Sequence, residues 1–434
     1  MEKPRQIAFA ILRRHSEGSE YLEDVIAEQF AKHTLAANDR ALVHELTGGV
    51  VRWRRTLDWL IEWRTRGRAQ QPVVRILLWM GFYQLLWLDR VPAHAAVHET
   101  VELAKSLGLG PIAGFINALC RSLIRELDEA RRRLAALAAT HPDIRFSHPE
   151  WLAHRWEKVW GRERVRVLME WNNLPPPVYA RVNRLLATPE SLEKQWADEG
   201  VVFQRHEFAW APNADVYELK EHPSLSGLKS LREGRFYVQD PSTLLAVHAL
   251  DPQPGMTVLD SCAAPGGKTT LIAQRMRNEG ILIAQDTHRA RTEMIRQNCE
   301  RLGVRCVRIS THSGVTHPEL SLAFDRILVD APCSNTGVMR RRIDLRWRVS
   351  PEEIQRLQGA QQSLIENAST QLKPGGLLVY STCSLEPEEN QQVTQWFLRH
   401  NPEFESVFSR QLTPFEHSVD GAYVTVFRRR APGA

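Results

Sequence analysis

The 434-residue sequence is poor in the features that mark secreted, membrane-spanning and metal-binding proteins. Its six cysteines are too few for a disulfide scaffold, and their lack of CxxC spacing argues against a cysteine-ligated metal. No run approaches the roughly 18 apolar residues of a membrane span. Residues 1–5 lead into an amphipathic pattern instead of the apolar centre of a signal peptide. We therefore expect a cytoplasmic protein with free thiols, no metal and no membrane contact.

The sequence also lacks a strong excess of either charge. Its net charge is +5, with 25% charged and 43% hydrophobic residues, as is typical of a globular protein. The length predicts two or three domains with a full-sized core. The basic residues are clustered along the chain, which is compatible with an anionic partner. We expect the chain to act as a monomer.

Residues 1–139 show helical periodicity, and no alternating strand pattern interrupts it. This pattern predicts an all-α domain of six or seven helices. Tryptophan and arginine are interleaved within residues 51–68. The tryptophans could face the core while the arginines face water, or the two together could form a face that binds nucleic acid.

The rest of the chain divides into a connecting region and a larger α/β domain. Two His-Pro dipeptides and the three prolines of residues 175–177 bracket a tryptophan-rich helix after residue 140. Residues 178–234 predict a small α/β module, so that 140–235 form one region. Residues 236–434 alternate strands with helices, which predicts a doubly wound, mostly parallel, Rossmann-like sheet. The predicted strands are 257–260, 281–285, 305–309, 325–330, 377–381 and 423–427. Ser350, Pro351 and Glu353 predict a helix start, with the helix ending at residues 373–376.

A glycine-rich loop follows the first of these strands. A strand, a glycine-rich turn and a helix start together bind anionic groups through exposed backbone N–H groups. A P-loop would need glycine where Cys262 stands, although Gly267, Lys268 and Thr269 fit its end. The dinucleotide fingerprint GxGxxG is absent. S-adenosylmethionine is the third candidate, and Asp286, at the end of the next strand, is placed to accept from its ribose.

Two cysteines, Cys333 and Cys383, each follow a predicted strand at the edge where open α/β sheets bind ligands. Carbon 5 of a pyrimidine is a poor nucleophile, but a thiolate that adds to carbon 6 makes it reactive. A carboxyl group such as Asp330 would assist that addition near the ring nitrogen. Either thiol can be the nucleophile on chemical grounds alone. The remaining cysteines outside the loop are expected to fill the core, namely Cys120, Cys299 and Cys306.

Three segments resemble the RNA cytosine-5 methyltransferases of the Nop2/Sun/Fmu family: residues 260–269 (DSCAAPGGKT), 330–337 (DAPCSNTG) and 381–390 (STCSLEPEEN). The helical first domain resembles NusB-like RNA-binding domains, and residues 178–234 carry the weakest likeness. The resemblance implies methyl transfer from S-adenosylmethionine to carbon 5 of a cytidine in small-subunit ribosomal RNA.

The resemblance also implies a role for each matching residue. Cys383 would add to carbon 6, Cys333 would assist breakdown of the adduct, and Asp330 would lie between cofactor and base. Asp286 would bind the ribose. The methionine part of the cofactor would lie against Cys262, Ala263, Ala264, Pro265, Gly266, Gly267 and Lys268. RNA phosphates would meet the arginines of residues 340–342 and 346–348.

The chain departs from the family pattern at two places. After the third strand the family usually has Gly-Asp, whose carboxylate binds the adenine amino group, whereas this chain has Ser310, Thr311, His312 and Ser313. A hydroxyl at Thr311 accepts the same bond without charge, so weaker cofactor binding is expected. The usual His-Pro after the arginine pair is replaced by Arg342 and Ile343.

Two other functions remain compatible with the sequence. A methyltransferase scaffold can serve as a non-catalytic RNA-binding or ribosome-assembly factor, although the two retained cysteines argue against this. The same chemistry on a transfer RNA is the second alternative, and the NusB-like domain favours ribosomal RNA over it only by analogy.

Overall fold

The computed structural model describes residues 3–311 and 323–431. The chain forms two compact units, one comprising Met1–Leu174 and Met339–Arg348 and the other Pro175–Val338 and Val349–Ala434. The first unit is helical, and the second contains a small α/β module followed by a larger, mostly parallel sheet with helices. The predicted fold class is therefore confirmed. No helix in the described ranges is long and apolar enough to cross a membrane.

The first unit consists of helices joined by short turns. Its helices are α1 (Pro4–Glu17), α2 (Leu22–Lys32), α3 (Ala37–Arg52), α4 (Arg54–Thr65), α5 (Pro72–Trp87), α6 (Ala93–Ser106), α7 (Gly110–Arg125), α8 (Leu127–Thr140), α9 (Pro142–Arg145), α10 (Glu150–Trp160) and α11 (Arg162–Trp171). Eight of these end by Thr140, which is more than the six or seven expected. A single residue, Trp53, separates α3 from α4, so apolar periodicity does not reveal the break.

Helix α5 lies at the centre of the helical core. Its sequence is apolar on all sides, which is typical of a helix surrounded by others, and ten of its residues are buried. Gly49 of α3 allows close packing here, because a Cβ at that position would overlap the Tyr83 ring. The Tyr83 hydroxyl in turn donates to Glu45 of α3.

The tryptophans of residues 51–68 pack within this unit. Trp53, Trp59 and Trp63 are partly buried against the helical core. Arg55 binds Asp143, and several neighbouring arginines also have partners inside the unit. Their packing favours the structural interpretation of this stretch over a continuous RNA-binding face.

Arg346, in the inserted segment 339–348, joins several helix ends of the first unit. Its side chain is fully buried. Its guanidinium donates to the carbonyl oxygens of Arg52 (3.4 Å), Ser147 (3.0 Å) and Asn172 (3.0 Å), and to Oδ1 of Asn173 (2.8 Å). Because α3 ends at Arg52 and α11 is capped at Asn172, the cation lies at the negative ends of two helix dipoles.

The small module of the second unit is an antiparallel sheet covered by a helix. Its elements are β1 (Val178–Val182), α12 (Pro189–Asp198), β2 (Val202–Phe208), β3 (Ala211–Glu221), α13 (Lys229–Arg232) and β4 (Phe236–Val238), with strand order β2-β3-β1-β4. Trp196 of α12 is fully buried against Phe203, Tyr217 and Phe236, each with its ring centre 5.3 Å away. The small α/β module predicted within residues 178–234 is therefore present.

The larger sheet has seven strands in the order β10-β11-β9-β8-β5-β6-β7. The elements are α14 (Leu244–Leu250), β5 (Thr257–Ser261), α15 (Gly267–Arg275), β6 (Ile281–Asp286), α16 (Arg289–Arg301), β7 (Val307–Thr311), β8 (Phe324–Asp330), α17 (Pro351–Ser369), β9 (Leu372–Thr382), α18 (Gln391–His400), β10 (Phe404–Leu412), α19 (Pro414–His417) and β11 (Ala422–Arg429). Strands β5 to β9 pair in parallel, and β5, β6, β8 and β9 are buried on both faces.

Two details of this sheet differ from expectation. Strand β10 was not predicted, because its central residues are exposed at the sheet edge, where it pairs antiparallel with β11. Helix α17 starts as predicted, with Glu353 N donating to the Ser350 hydroxyl at 3.2 Å. It ends at Ser369, before residues 373–376, because the chain from Leu372 onward joins β9.

We expect Arg346→Met to lower the free energy of unfolding by at least about 3 kcal/mol, because several buried carbonyl oxygens would lose their donor. Urea denaturation followed by far-ultraviolet circular dichroism measures this change. Arg342→Met, at an exposed position of the same segment, is the matched control. Equal denaturation midpoints for the two variants would show that Arg346 does not hold the helix ends together.

Candidate active site

The predicted site residues meet at the carboxyl edge of the parallel strands. Strand β5 lies between β8 and β6, with Ser261 opposite both Val329 and Gln285. Asp330, at the end of β8, is paired with Ser381 of β9. Strands β6 and β7 lie on one side of β5, whereas β8 and β9 lie on its other side. This switch in strand order between β5 and β8 is the position where open α/β sheets bind ligands.

The glycine-rich loop turns sharply between β5 and α15. Cys262 and Gly266 both have left-handed backbone angles, with φ of 61° and 102°. Two backbone N–H groups of the loop form hydrogen bonds to β6: Ala263 N donates to Gln285 O at 2.8 Å, and Ala264 N donates to the side-chain oxygen Oδ2 of Asp286 at 3.1 Å. The first turn of α15, starting at Gly267, therefore follows a loop of fixed shape. Pro265 is exposed at its tip.

Asp286 and Thr311 lie side by side at the ends of β6 and β7. The Asp286 carboxylate is buried, its Oδ1 also accepts from Thr287 N at 2.8 Å, and Arg291 Nε lies 3.4 Å from the same oxygen. The Thr311 hydroxyl is 2.9 Å from that of Thr292. His312 and Ser313, which complete the segment discussed above, lie outside the described residues.

Asp330 forms an ion pair with Lys268 across the site. Lys268 Nζ is 2.6 Å from Asp330 Oδ2, and the Ser381 hydroxyl donates to Asp330 Oδ1 at 2.6 Å. Burial acts to lower the pKa of Lys268, but the Asp330 carboxylate outweighs it and raises that pKa. The loop and the end of β8 are therefore joined by a charged hydrogen bond.

Cys333 and Cys383 lie next to each other, with their sulfur atoms 3.3 Å apart. Cys383 Sγ donates to Asn335 Oδ1 at 2.9 Å, and Asn335 Nδ2 donates to Cys333 O at 2.7 Å. The hydrogen bond with Cys383 and burial together raise the pKa of Cys333 well above its usual range. Gly337 allows this close approach of loops, since a Cβ there would lie 2.6 Å from Cys383 O.

The other cysteines lie in different surroundings. Cys262 is in the loop, and burial raises its pKa to about 12. Cys120 is buried in the helical unit and Cys299 in the core of the larger sheet, while Cys306 packs partly buried against that core. Their packing agrees with the core-filling role expected for these three. No group of three or more metal-ligating side chains occurs among the residues that the structure describes.

The predicted contact of residues 346–348 with RNA phosphates is wrong for Arg346, whose guanidinium is buried against carbonyl oxygens. Arg348 donates to the backbone of Ser19 at 2.6 Å, within the first unit. Arg340 is only 2% exposed, with its guanidinium 4.0 Å from the ring centre of Trp171. Among the five arginines within residues 340–348, Arg342 is the exposed one.

Arg181 is a residue near the site that chemical reasoning from the sequence missed. This buried side chain of β1 donates to Gln239 Oε1 at 3.0 Å, Gln274 Oε1 at 2.6 Å and Thr270 Oγ1 at 3.3 Å. It thereby ties the small module to α15, the helix that follows the glycine-rich loop. Its only signal was the weak family likeness of residues 178–234. Asn335 and Glu389 were missed as well.

Three family models match successive parts of the chain. Residues 2–125 match the NusB family, and residues 148–214 match the ferredoxin-like domain of RsmF/B-like methyltransferases. Residues 247–428 match the family described as 16S rRNA methyltransferase RsmB/F.

Curated relatives match over nearly the whole length. The probable ribosomal RNA small subunit methyltransferase B of Bacillus subtilis (strain 168) is 31% identical over 453 aligned positions, which cover 98% of this chain and 98% of that protein. The chain belongs to the ribosomal RNA small subunit methyltransferase B family. The family member of Cronobacter sakazakii is 35% identical over 382 positions, covering 86% of this chain and 85% of its own.

A solved structure shows the same fold. The crystal structure of PH0851 matches with a TM-score of 0.78 and 24% identity, covering 99% of each chain. Membership of the ribosomal RNA small subunit methyltransferase B family makes the chain a methyltransferase and confirms the resemblance to the Nop2/Sun/Fmu enzymes that the three motifs indicated.

Asp260, beneath the loop, provides a test of the site's electrostatics. It is fully buried, and burial raises its pKa to about 7 although the Thr269 hydroxyl donates to it at 2.6 Å. The unfolded chain loses this proton near pH 4, whereas the folded protein keeps it up to about pH 7. The stability that Asp260 contributes is therefore full at acid pH and is lost as pH rises through this window.

We expect the free energy of unfolding of Asp260→Asn, whose side chain stays neutral, to rise relative to that of the wild type by about 1.4 kcal/mol for each pH unit across that window. Urea denaturation of both proteins at pH 5 and pH 7 measures the difference. A gain that is the same at both pH values would contradict the raised pKa of Asp260.

Proposed function

We propose that this chain transfers a methyl group from S-adenosylmethionine to carbon 5 of a cytidine in small-subunit ribosomal RNA. The observation that carries the proposal is the 3.3 Å separation of the Cys333 and Cys383 sulfur atoms at the carboxyl edge of the sheet. Asp330, on the strand before Cys333, is ion-paired with Lys268 at the same edge. Such an RNA substrate would place the enzyme in the cytoplasm.

The residues of the loop fit the proposed cofactor. When bound, S-adenosylmethionine supplies an electrophilic methyl group. The loop residues Cys262, Ala263, Ala264, Pro265, Gly266, Gly267 and Lys268 would lie along its amino-acid part, with the first turn of α15 offering backbone N–H groups. The Asp286 carboxylate would accept from the ribose hydroxyls, and Thr311, beside it, would accept from the adenine amino group.

Cys383 is the proposed nucleophile. Its thiolate would form a bond to carbon 6 of the cytosine, which moves the electron pair of the ring double bond to carbon 5. Carbon 5 would then form a bond to the methyl group while the sulfur–methyl bond breaks and leaves a neutral thioether. Asp330 would contact the ring nitrogen side of the base and stabilise the adduct. Removal of the proton from carbon 5 would then return an electron pair to the ring and break the sulfur–carbon bond. Cys333, next to Cys383, would assist this last stage.

Ribosomal RNA is favoured over transfer RNA by the relatives, which are named ribosomal RNA small subunit methyltransferases. The adjacent cysteines, the ion-paired Asp330 and the sharply turned loop argue against a purely RNA-binding assembly factor, because such a factor needs none of these groups.

Covalent trapping tests the proposal. We expect Cys333→Ala protein, mixed with unmethylated small-subunit ribosomal RNA and S-adenosylmethionine, to accumulate an RNA–protein adduct that survives a denaturing gel. Cys383→Ala should abolish both the adduct and methyl transfer, with activity falling by at least about 10³-fold as the nucleophile is lost.

The double variant Cys333→Ala/Cys383→Ala is the control, and Cys306→Ala serves as a matched cysteine substitution remote from the sulfur pair. Methylation by wild type without an adduct in Cys333→Ala would contradict the division of roles between the cysteines. Wild type that binds this RNA without methylating it would favour the assembly-factor function.

Thr311 predicts a measurable effect on cofactor affinity. Replacing its neutral acceptor with a carboxylate in Thr311→Asp should tighten S-adenosylmethionine binding by about three- to tenfold, because charged hydrogen bonds are stronger by about 1 kcal/mol. Isothermal titration calorimetry measures this, with Thr311→Asn as the uncharged control. Equal affinities for Asp and Asn would show that Thr311 does not contact the adenine.

A further inference from the structure

A buried polar cluster lies behind the two active-site cysteines, and its centre is the fully buried carboxylate of Glu389. Oxygen Oε1 accepts from Ser334 N at 2.8 Å and from Gln361 Nε2 at 3.0 Å. Oxygen Oε2 accepts from the hydroxyl groups of Ser334 and Ser384. One carboxylate thus satisfies four donors from three different parts of the chain.

Both serines are direct chain neighbours of the cysteines. Ser334 follows Cys333, and Ser384 follows Cys383, with the two hydroxyl oxygens 3.1 Å apart. Because consecutive Cα atoms are held about 3.8 Å apart, a displacement of either serine displaces the cysteine beside it. Glu389 is therefore bonded to both of the loops that carry the sulfur atoms.

Glu389 is itself held from two sides. The Tyr380 hydroxyl, from the end of β9, donates to the Glu389 backbone carbonyl at 2.6 Å. Gln361 of α17, which donates to the carboxylate, also donates to Pro332 O at 2.9 Å, just before Cys333. These hydrogen bonds therefore hold the carboxylate in place beside the Cys333 loop.

The charge of Glu389 acts on the Cys333 sulfur atom. It adds to the hydrogen bond with Cys383 and to burial in raising the pKa of Cys333. Cys333 is therefore kept as a thiol, as suits a residue that acts after the nucleophile.

A role in stability alone does not explain this carboxylate. Taking a carboxylate out of water costs several kcal/mol, and well-packed apolar side chains often stabilise a core equally well. The four donors offset that cost only because the serine hydroxyls and the Ser334 amide already point inward at this place. The buried carboxylate is explained by its hydrogen bonds to the two loops whose sulfur atoms must stay close together.

We propose that Glu389 is a positioning residue, whose carboxylate holds the Cys333 and Cys383 loops at the separation that the reaction requires. This proposal rests on the function proposed above for the two cysteines. It is tested first by sulfur chemistry that does not depend on methyl transfer.

The first measurement is the rate at which diamide oxidises the sulfur pair. The two thiols lose two protons and two electrons to form one S–S bond, and the diamide N=N bond is reduced to the hydrazine. Peptide mapping by mass spectrometry follows the Cys333–Cys383 disulfide in wild type and in Glu389→Ala, Glu389→Gln and Glu388→Gln. The last is the control, because Glu388 is the adjacent, partly exposed residue.

We expect Glu389→Ala to form this disulfide at least about tenfold more slowly, because the effective concentration of one sulfur near the other falls. Glu389→Gln, whose amide spans the same distance, should recover most of the rate, and Glu388→Gln should match wild type. If Glu389→Ala fails to fold, Glu389→Asp, shorter by one methylene, provides the same comparison. A wild-type rate in the Ala or Asp variant would overturn the proposal.

The second measurement separates positioning from general damage. Glu389→Ala should lower kcat for RNA methylation by about 10²-fold, as misplaced reacting groups do, while the Kd for S-adenosylmethionine stays unchanged. A parallel loss of cofactor affinity and thermal stability would assign Glu389 to structure alone. If wild type forms the disulfide as expected but methylates no ribosomal RNA, the proposed function fails while the positioning of the sulfur pair stands.

Discussion

The structure of the site depends on the parallel packing of β5, β6, β8 and β9. Each of these strands is buried on both faces of the sheet, so its register is fixed by the apolar side chains on either side. That register brings Asp330 opposite Ser381 and Asp286 opposite Thr311. The residues that follow the strands, Cys333 among them, therefore reach one edge without any contact of their own being needed to bring them together.

Much of this arrangement could be predicted from the sequence, because buried parallel strands appear as continuous apolar runs with polar residues at their ends. The strand ends at Asp286 and Asp330 were predicted correctly for this reason. Strand β10 could not be predicted, since the exposed residues in its middle interrupt any continuous apolar run. The break between α3 and α4 also escaped prediction, because helical periodicity continues through a one-residue junction.

The partners of the site residues were harder to predict than their positions. Cys383 donates to the side chain of Asn335, which lies 48 residues earlier in the sequence. Arg346 donates to the carbonyl oxygen of Arg52, 294 residues earlier. Arginines in a loop after a strand suggest phosphate contacts, and only the fold shows that the buried Arg346 donates to the carbonyl oxygens of helix ends instead. Glu389 was part of a recognised motif, but a carboxylate between two serines has no signature in sequence spacing. Local pattern therefore locates the reacting groups, whereas the residues that hold them emerge only from packing.

The central claim is that the paired sulfur atoms serve chemistry at carbon 5 of cytosine. Methylation at that carbon must release its hydrogen, whereas methylation at a nitrogen or at the ribose leaves it in place. The most direct measurement uses small-subunit ribosomal RNA carrying tritium at carbon 5 of its cytosines, with the wild-type enzyme and S-adenosylmethionine. The account predicts one tritium released to water for each methyl group transferred. Methyl transfer without tritium release would contradict it.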